Sequence, residues 1–94
     1  MKINGFIWLE EIIDKFRWKH NLNLEEVEQI FDSKPIFLKM ETGKIEGKDL
    51  YNALGRTESG RYISVFFIYK YTHQALIVTA RDMNSKERKY YVKR

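Results

Sequence analysis

The apolar residues of this 94-residue chain change their period at one point, and Pro35 marks it. Before Pro35 they recur at helical spacing; after it they alternate or run together, as strand residues do. Leu9, Ile12, Ile13, Phe16 and His20 lie at i, i+3, i+4, i+7 and i+11, which makes one stripe of a first helix. Glu10, Glu11 and Asp14 fall on its other side, in the first turns, where the helix dipole favours acids. Asn21-Leu22-Asn23 breaks it. Asn23 then offers an N-cap, with Glu26 three residues on, a capping-box pattern. Leu24, Val27, Ile30 and Phe31 make the stripe of a second helix, which Ser33-Lys34-Pro35 ends because proline disfavours a helical residue before it.

Beyond Pro35 the spacing predicts four strands: Ile36 to Met40, Leu50 to Arg56, Tyr62 to Tyr69 and Ala75 to Ala80. Glu41 to Asp49 reads as a charged loop with Gly43 and Gly47, Thr57-Glu58-Ser59-Gly60 as a hairpin loop, and Tyr71-Thr72-His73-Gln74 as a turn. Tyr62 to Tyr69 is apolar at nearly every position apart from Ser64, which suits a central strand covered on both faces. Asn84 caps a last short helix, again with a glutamate, Glu87, three residues later. The expected order is α-α-β-β-β-β-α. This is a single α+β domain with two N-terminal helices, a four-stranded, mainly antiparallel meander and a short C-terminal helix.

Composition narrows the function classes. Apolar residues are 44% of the chain and aromatics 15%, too many for long disordered stretches. No apolar run approaches the roughly 18 residues of a membrane span. Met1-Lys2-Ile3-Asn4-Gly5 leads into mixed charged sequence, unlike a secretory signal. Cysteine is absent, which excludes disulfides and thiolate metal sites and fits a reducing cytoplasm. With only His20 and His73, neither a metal centre nor a cofactor is expected. The net charge of +4 resides wholly in the last fourteen residues. There Arg81, Lys86, Arg88, Lys89, Lys93 and Arg94 face only Asp82 and Glu87. Charge gathered at one end attracts a polyanion or an acidic partner better than the same charge spread out.

Trp8 followed eleven residues later by Lys19-His20, Leu24-Glu25-Glu26-Val27 with Ile30-Phe31, Ala53-Leu54-Gly55, Gly60-Arg61 with Val65, Ile77-Val78-Thr79-Ala80-Arg81, and Glu87-Arg88 with Tyr90 or Tyr91 occur in an order and spacing that resemble the BrnT toxins. The resemblance runs from about Phe6 to Tyr91. It implies a RelE-like fold and the toxin half of a type II toxin-antitoxin pair. Such a toxin arrests growth by cutting RNA and is silenced by a BrnA-type antitoxin with a ribbon-helix-helix part. A homodimer, or a heterotetramer with that antitoxin, is the assembly it suggests. Two positions depart from the family pattern. Leu50 stands where many members carry an arginine, and Phe16 where an asparagine is frequent.

A metal-free ribonuclease needs a base for the ribose 2′-OH, cations for the phosphate and an acid for the leaving 5′-oxygen. Arg81 is the first candidate cation, since an arginine fork matches two phosphate oxygens. Its alternative is a surface arginine paired with Asp82 or Glu58. Arg61, at the mouth of the hairpin, is the second; ordinary solvation explains it almost as well. Whether the two share a sheet face depends on register, because a one-residue slip reverses the answer. His20 and Glu87 are the candidate acid-base groups. His20 has the alternative of a packed position on the apolar stripe, and Glu87 that of the capping box. Lys19, Arg88, Lys89 and Lys93 are candidate RNA contacts. Trp18, opposite the stripe, is a candidate partner interface. The tyrosines Tyr62, Tyr69, Tyr71, Tyr90 and Tyr91 read first as core and sheet-edge residues. One near the basic end is also suited to stacking on a base. The competing class is a non-catalytic RNA- or protein-binding module using the same basic end, or a toxin homologue that has lost its chemistry.

Overall fold

The structure, a computed structural model, describes residues 1–19, 21–41 and 48–93. Its elements are β1 (Gly5–Ile7), α1 (Glu10–Lys19), α2 (Leu24–Asp32), β2 (Ile36–Glu41), β3 (Leu50–Arg56), β4 (Tyr62–Tyr69), β5 (Gln74–Asp82) and α3 (Ser85–Lys93). The domain is α+β, with a five-stranded sheet in the order β1-β5-β4-β3-β2. From β2 to β5 it is the expected antiparallel meander. The expected four strands are corrected to five, because β1 pairs in parallel with β5 and makes the sheet mixed. Three residues are too few to show a period. The hydrogen bond from the Asn4 N–H to the His73 carbonyl, at 2.8 Å, ties this strand to a turn far along the chain. Positions 42–47 of the expected charged loop lie outside the described residues.

The helical boundaries follow the local chemistry. Asn23 accepts from the Glu26 N–H at 2.8 Å while Glu26 accepts from the Asn23 N–H at 3.1 Å, a complete capping box for α2. At the other end Lys34 takes φ +56. It stops the helix in the left-handed conformation usual just past a C-cap, rather than in the extended one its proline neighbour favours.

Side-chain alternation along the strands makes two different faces. On one, Ala53, Ile63, Val65, Phe67, Ala75, Ile77 and Ala80 join Phe16, Val27 and Ile30 of α1 and α2 in the main core. Phe31 packs edge-on against Phe6 and Phe67, with ring centroids 5.0 and 5.2 Å away. Trp8 packs edge-on against Phe16 and donates to Glu28 at 2.9 Å, so β1, α1 and α2 are joined at one point. Phe16, one of the two departures from the BrnT pattern, is only 2% exposed in this core. The other face carries Asn52, Leu54, Tyr62, Ser64 and Phe66, and α3 packs over part of it. Leu54 is fully buried there, apart from the main core cluster. No helix among the described residues is long and apolar enough to cross a membrane.

At Gly55 the C-terminal end of α2 lies close against the sheet. A Cβ built on it would meet Ser33 Oγ at 2.6 Å, Ile30 Cγ2 at 2.8 Å and the Ile30 carbonyl oxygen at 3.2 Å. Gly55→Ala is therefore expected to cost about 1–3 kcal/mol in chemical denaturation, the usual range for overpacking. Gly5→Ala, with nothing within 4 Å of the new methyl, should stay within about 0.5 kcal/mol of wild type.

Candidate functional site

The register of β4 against β5 decides on which face of the sheet Arg81 lies. Near the Tyr71–His73 turn, Tyr69 pairs with Ala75 and Phe67 with Ile77. Continued without interruption, that count would set Ser64 opposite Ala80 and put Arg81 on the helix side. A bulge intervenes: Phe66 pairs with Thr79, so Val78 has no residue opposite it. Beyond the bulge Ser64 pairs with Arg81 and Ile63 with Asp82. Arg81 therefore shares the α3 face with Ser64, in a row running Ile36, Leu54, Ser64, Arg81 across four strands.

On this face Arg81 and Glu87 form a two-pronged ion pair, Nη1 to Oε1 at 2.6 Å and Nη2 to Oε2 at 3.0 Å. Glu87 Oε1 also accepts from the Asn84 N–H at 3.0 Å, and Asn84 Oδ1 from the Glu87 N–H at 2.8 Å. The expected capping box of α3 is thus present, and Glu87 serves cap and ion pair together. Ser64 Oγ donates to Glu87 Oε2 at 3.3 Å while accepting from Asn52 Nδ2 at 2.7 Å. Asn52 and Ser64 are buried, so a satisfied polar chain runs from inside the sheet to the ion pair. The Arg81 guanidinium also lies 5.3 Å over the Phe66 ring. The partner of Arg81 is therefore Glu87, rather than Asp82 or Glu58.

Partial burial pushes the Glu87 carboxyl upward. Hydrogen bonds from Arg81, the Asn84 N–H and Ser64, with the charge of Arg81, outweigh it and hold the carboxyl below its ordinary value. The hydrogen bond to Glu87 raises Arg81 in turn, against partial desolvation and with the carboxylate charge adding to it. Glu87 is an anion at neutral pH.

Arg61 is not part of this site. Its guanidinium reaches the helix side, donating to the Asn21 carbonyl at 2.9 Å, Glu26 Oε2 at 3.3 Å and Asp82 Oδ1 at 3.1 Å. It clamps the α1–α2 junction to the end of β5, on the opposite side of the sheet from Arg81. Arg88, Lys89 and Lys93 are exposed on α3, and the Arg88 guanidinium lies 4.2 Å over the Tyr62 ring. Tyr91 packs edge-on against Tyr62 at 5.9 Å. His20 lies outside the described residues, as do the side chains of Trp18 and Lys19, which end α1. Among the described residues no group of three or more His, Asp or Glu could hold a metal ion.

Three residues of this face escape a sequence reading focused on the basic end. Ser64 and Asn52 are the polar interruptions of otherwise apolar strands, a usable signal. Arg56 closes β3 opposite Tyr62, with its guanidinium 4.7 Å over that ring; a terminal strand arginine gives no such signal.

Glu87 binds its proton less tightly folded than unfolded. Its stabilisation is complete above the ordinary carboxylate pKa of about 4.3 and is lost as pH falls through the lower folded value. Glu87→Ala should cost about 1 kcal/mol at neutral pH, mostly through the cap. Glu87→Gln should cost less, because its amide oxygen can still accept from Asn84. In thermal melts, the gap between wild type and Glu87→Gln should narrow as pH falls below about 4; a gap independent of pH would show that the ion pair contributes nothing to stability.

No model of a known protein family matches this sequence, and no curated protein matches it.

Proposed function

We propose that this chain is a BrnT-type toxin of RelE-like fold, an endoribonuclease whose RNA lies on the α3 face of the sheet. One observation supports this best: an arginine fork and an ionised carboxylate are held together on a buried polar support, within a surface of exposed arginine and lysine. The attacking end of an in-line cleavage and the charge at phosphorus have groups to serve them. The ribose 2′-oxygen attacks phosphorus, its proton passes to Glu87, and a 2′,3′-cyclic phosphate forms. The bond from phosphorus to the 5′-oxygen breaks, and that oxygen takes a proton from water. Arg81 turns from Glu87 to the phosphate as negative charge builds on it. Losing its partner raises the proton affinity of Glu87, so phosphate binding itself strengthens the base. His20 remains the other acid-base candidate from the sequence. In the cytoplasm a BrnA-type antitoxin would cover this face and keep the toxin inert.

A second reading, a binding module without catalysis, has an observation in its favour. Both arginines singled out from the sequence are already engaged by carboxylates, Arg81 by Glu87 and Arg61 by Glu26 and Asp82.

Controlled expression of the chain alone separates the two readings. The toxin reading expects growth arrest and fragmented RNA for wild type. Arg81→Ala should relieve both by about a hundredfold or more in cleavage rate, the scale of losing one charge-stabilising donor. Normal growth with intact RNA from well-expressed, folded wild type would favour the binding module.

A further inference from the structure

Five cations lie on or beside the sheet near its candidate site, and they differ in their partners. Arg61 and Arg81 are neutralised by carboxylates. Arg56, Arg88 and Lys34 form no ion pair with any described residue. These three surround one aromatic ring or the cleft beside it. Arg56 is the cross-strand partner of Tyr62, and its guanidinium carbon lies 4.7 Å from the ring centroid; that of Arg88, reaching down from α3, lies 4.2 Å away. Lys34 joins Ile36, Arg56, Tyr62, Tyr91 and Val92 in lining a cleft of about 480 Å³. Lys34 is held there at φ +56, a conformation that glycine adopts without strain and lysine does not.

Asp32 and Glu58 line the adjoining cleft on the other side of Arg56 without forming an ion pair with it, and like charges gathered without a paired carboxylate favour the arrival of an anion. The ring of Tyr62 fixes both guanidiniums through cation–π contact, so little freedom is lost when they close on a phosphate. The rest of the cleft is apolar or aromatic: Ile36, Tyr91, Val92. A bare phosphate would leave that part unfilled, whereas the sugar and base of one nucleotide would cover it. The volume is in the range of small-ligand clefts. Tyr62 also lies two residues from Ser64 on the same face of β4, about 7 Å along the strand. The cleft is therefore next to the Arg81–Glu87 pair, and α3 contributes to both, with Tyr91 and Val92 in the cleft and Glu87 in the pair.

We propose that this cleft is a nucleotide subsite, in which Arg56 and Lys34 hold a phosphate of single-stranded RNA next to the one at Arg81, with Arg88 adding its charge from beside the Tyr62 ring and Tyr91 and Ile36 against the sugar and base. The role of the neighbouring phosphate rests on the ribonuclease reading; the binding of a nucleotide does not.

The test is fluorescence anisotropy with a short, fully 2′-O-methylated oligonucleotide, which cannot be cleaved, over a range of salt concentrations. Arg56→Gln should weaken binding about tenfold. It should also make the plot of log affinity against log salt shallower, by about 0.7 for each phosphate no longer neutralised. Arg56→Lys should keep most of the salt slope. Lys39→Gln, which removes a lysine already paired with Asp49, should change neither. If Arg56→Gln fails to fold, Lys34→Gln tests the same cleft. Equal losses for Lys39→Gln and Arg56→Gln would reduce the cleft to diffuse charge and overturn the proposal. So would unchanged oligonucleotide binding by Arg56→Gln together with lost binding of a polyglutamate peptide, which would make the cleft a protein site. Wild type that binds the oligonucleotide through Arg56 but leaves unmodified RNA intact would uphold the subsite and defeat the ribonuclease reading. Wild type that cuts RNA while Arg56→Gln binds normally would do the reverse.

Discussion

One extra residue in β5 decides on which side of the sheet Arg81 lies. Val78 has no partner on β4, and that bulge moves every later residue of β5 to the other face. Without it Arg81 would join Arg61 and the acids around the α1–α2 junction. With it, Arg81 meets Ser64 and lies where α3 comes to rest. Bulges commonly re-aim a side chain in this way, at the cost of a local break in pairing. Here the break is supported by burial of Val65, Phe67, Ile77 and Ala80 around it.

The bulge matters because of how α3 is attached. No described residue of α3 is buried, so this helix has no apolar anchor of the kind that holds α2 through Val27 and Ile30. It is held by Glu87, which caps the helix, binds Arg81 and accepts from Ser64, and by Tyr91 and Arg88 packing on Tyr62. Those contacts bring the basic end of the chain onto the sheet face that carries Asn52, Ser64 and Arg56. Charge concentrated in the last fourteen residues becomes charge concentrated on one surface. The cations around the sheet then differ in role: Arg61 joins elements on the helix side, Arg81 fastens α3, and Arg56, Arg88 and Lys34 form no ion pair with a described carboxylate.

Much of this is legible in the sequence where local chemistry sets the structure. Asn23 with Glu26 and Asn84 with Glu87 announce their helices because a capping box needs only four residues. Leu50 to Arg56 and Tyr62 to Tyr69 announce their strands by composition and end where expected. The parallel strand Gly5–Ile7 is not legible, since its pairing with Gln74–Leu76 is non-local and too short for a period. The candidate site is half legible. Arg81, Glu87 and Arg88 come from the charge pattern and the family resemblance. Their separation from Arg61 turns on a single bulged residue that alternation cannot reveal. Arg56 is significant only through the ring opposite it.

The proposed function stands or falls on RNA engaging the α3 face and not the helix side. Backbone amide shifts of isotope-labelled protein, followed by NMR during titration with the 2′-O-methylated oligonucleotide, test it most directly. Shifts should concentrate at Arg56, Tyr62 to Ser64, Arg81 and Ser85 to Val92, with little change along α2. Shifts centred on α1, α2 and Arg61, or none at oligonucleotide concentrations well above the protein, would contradict it.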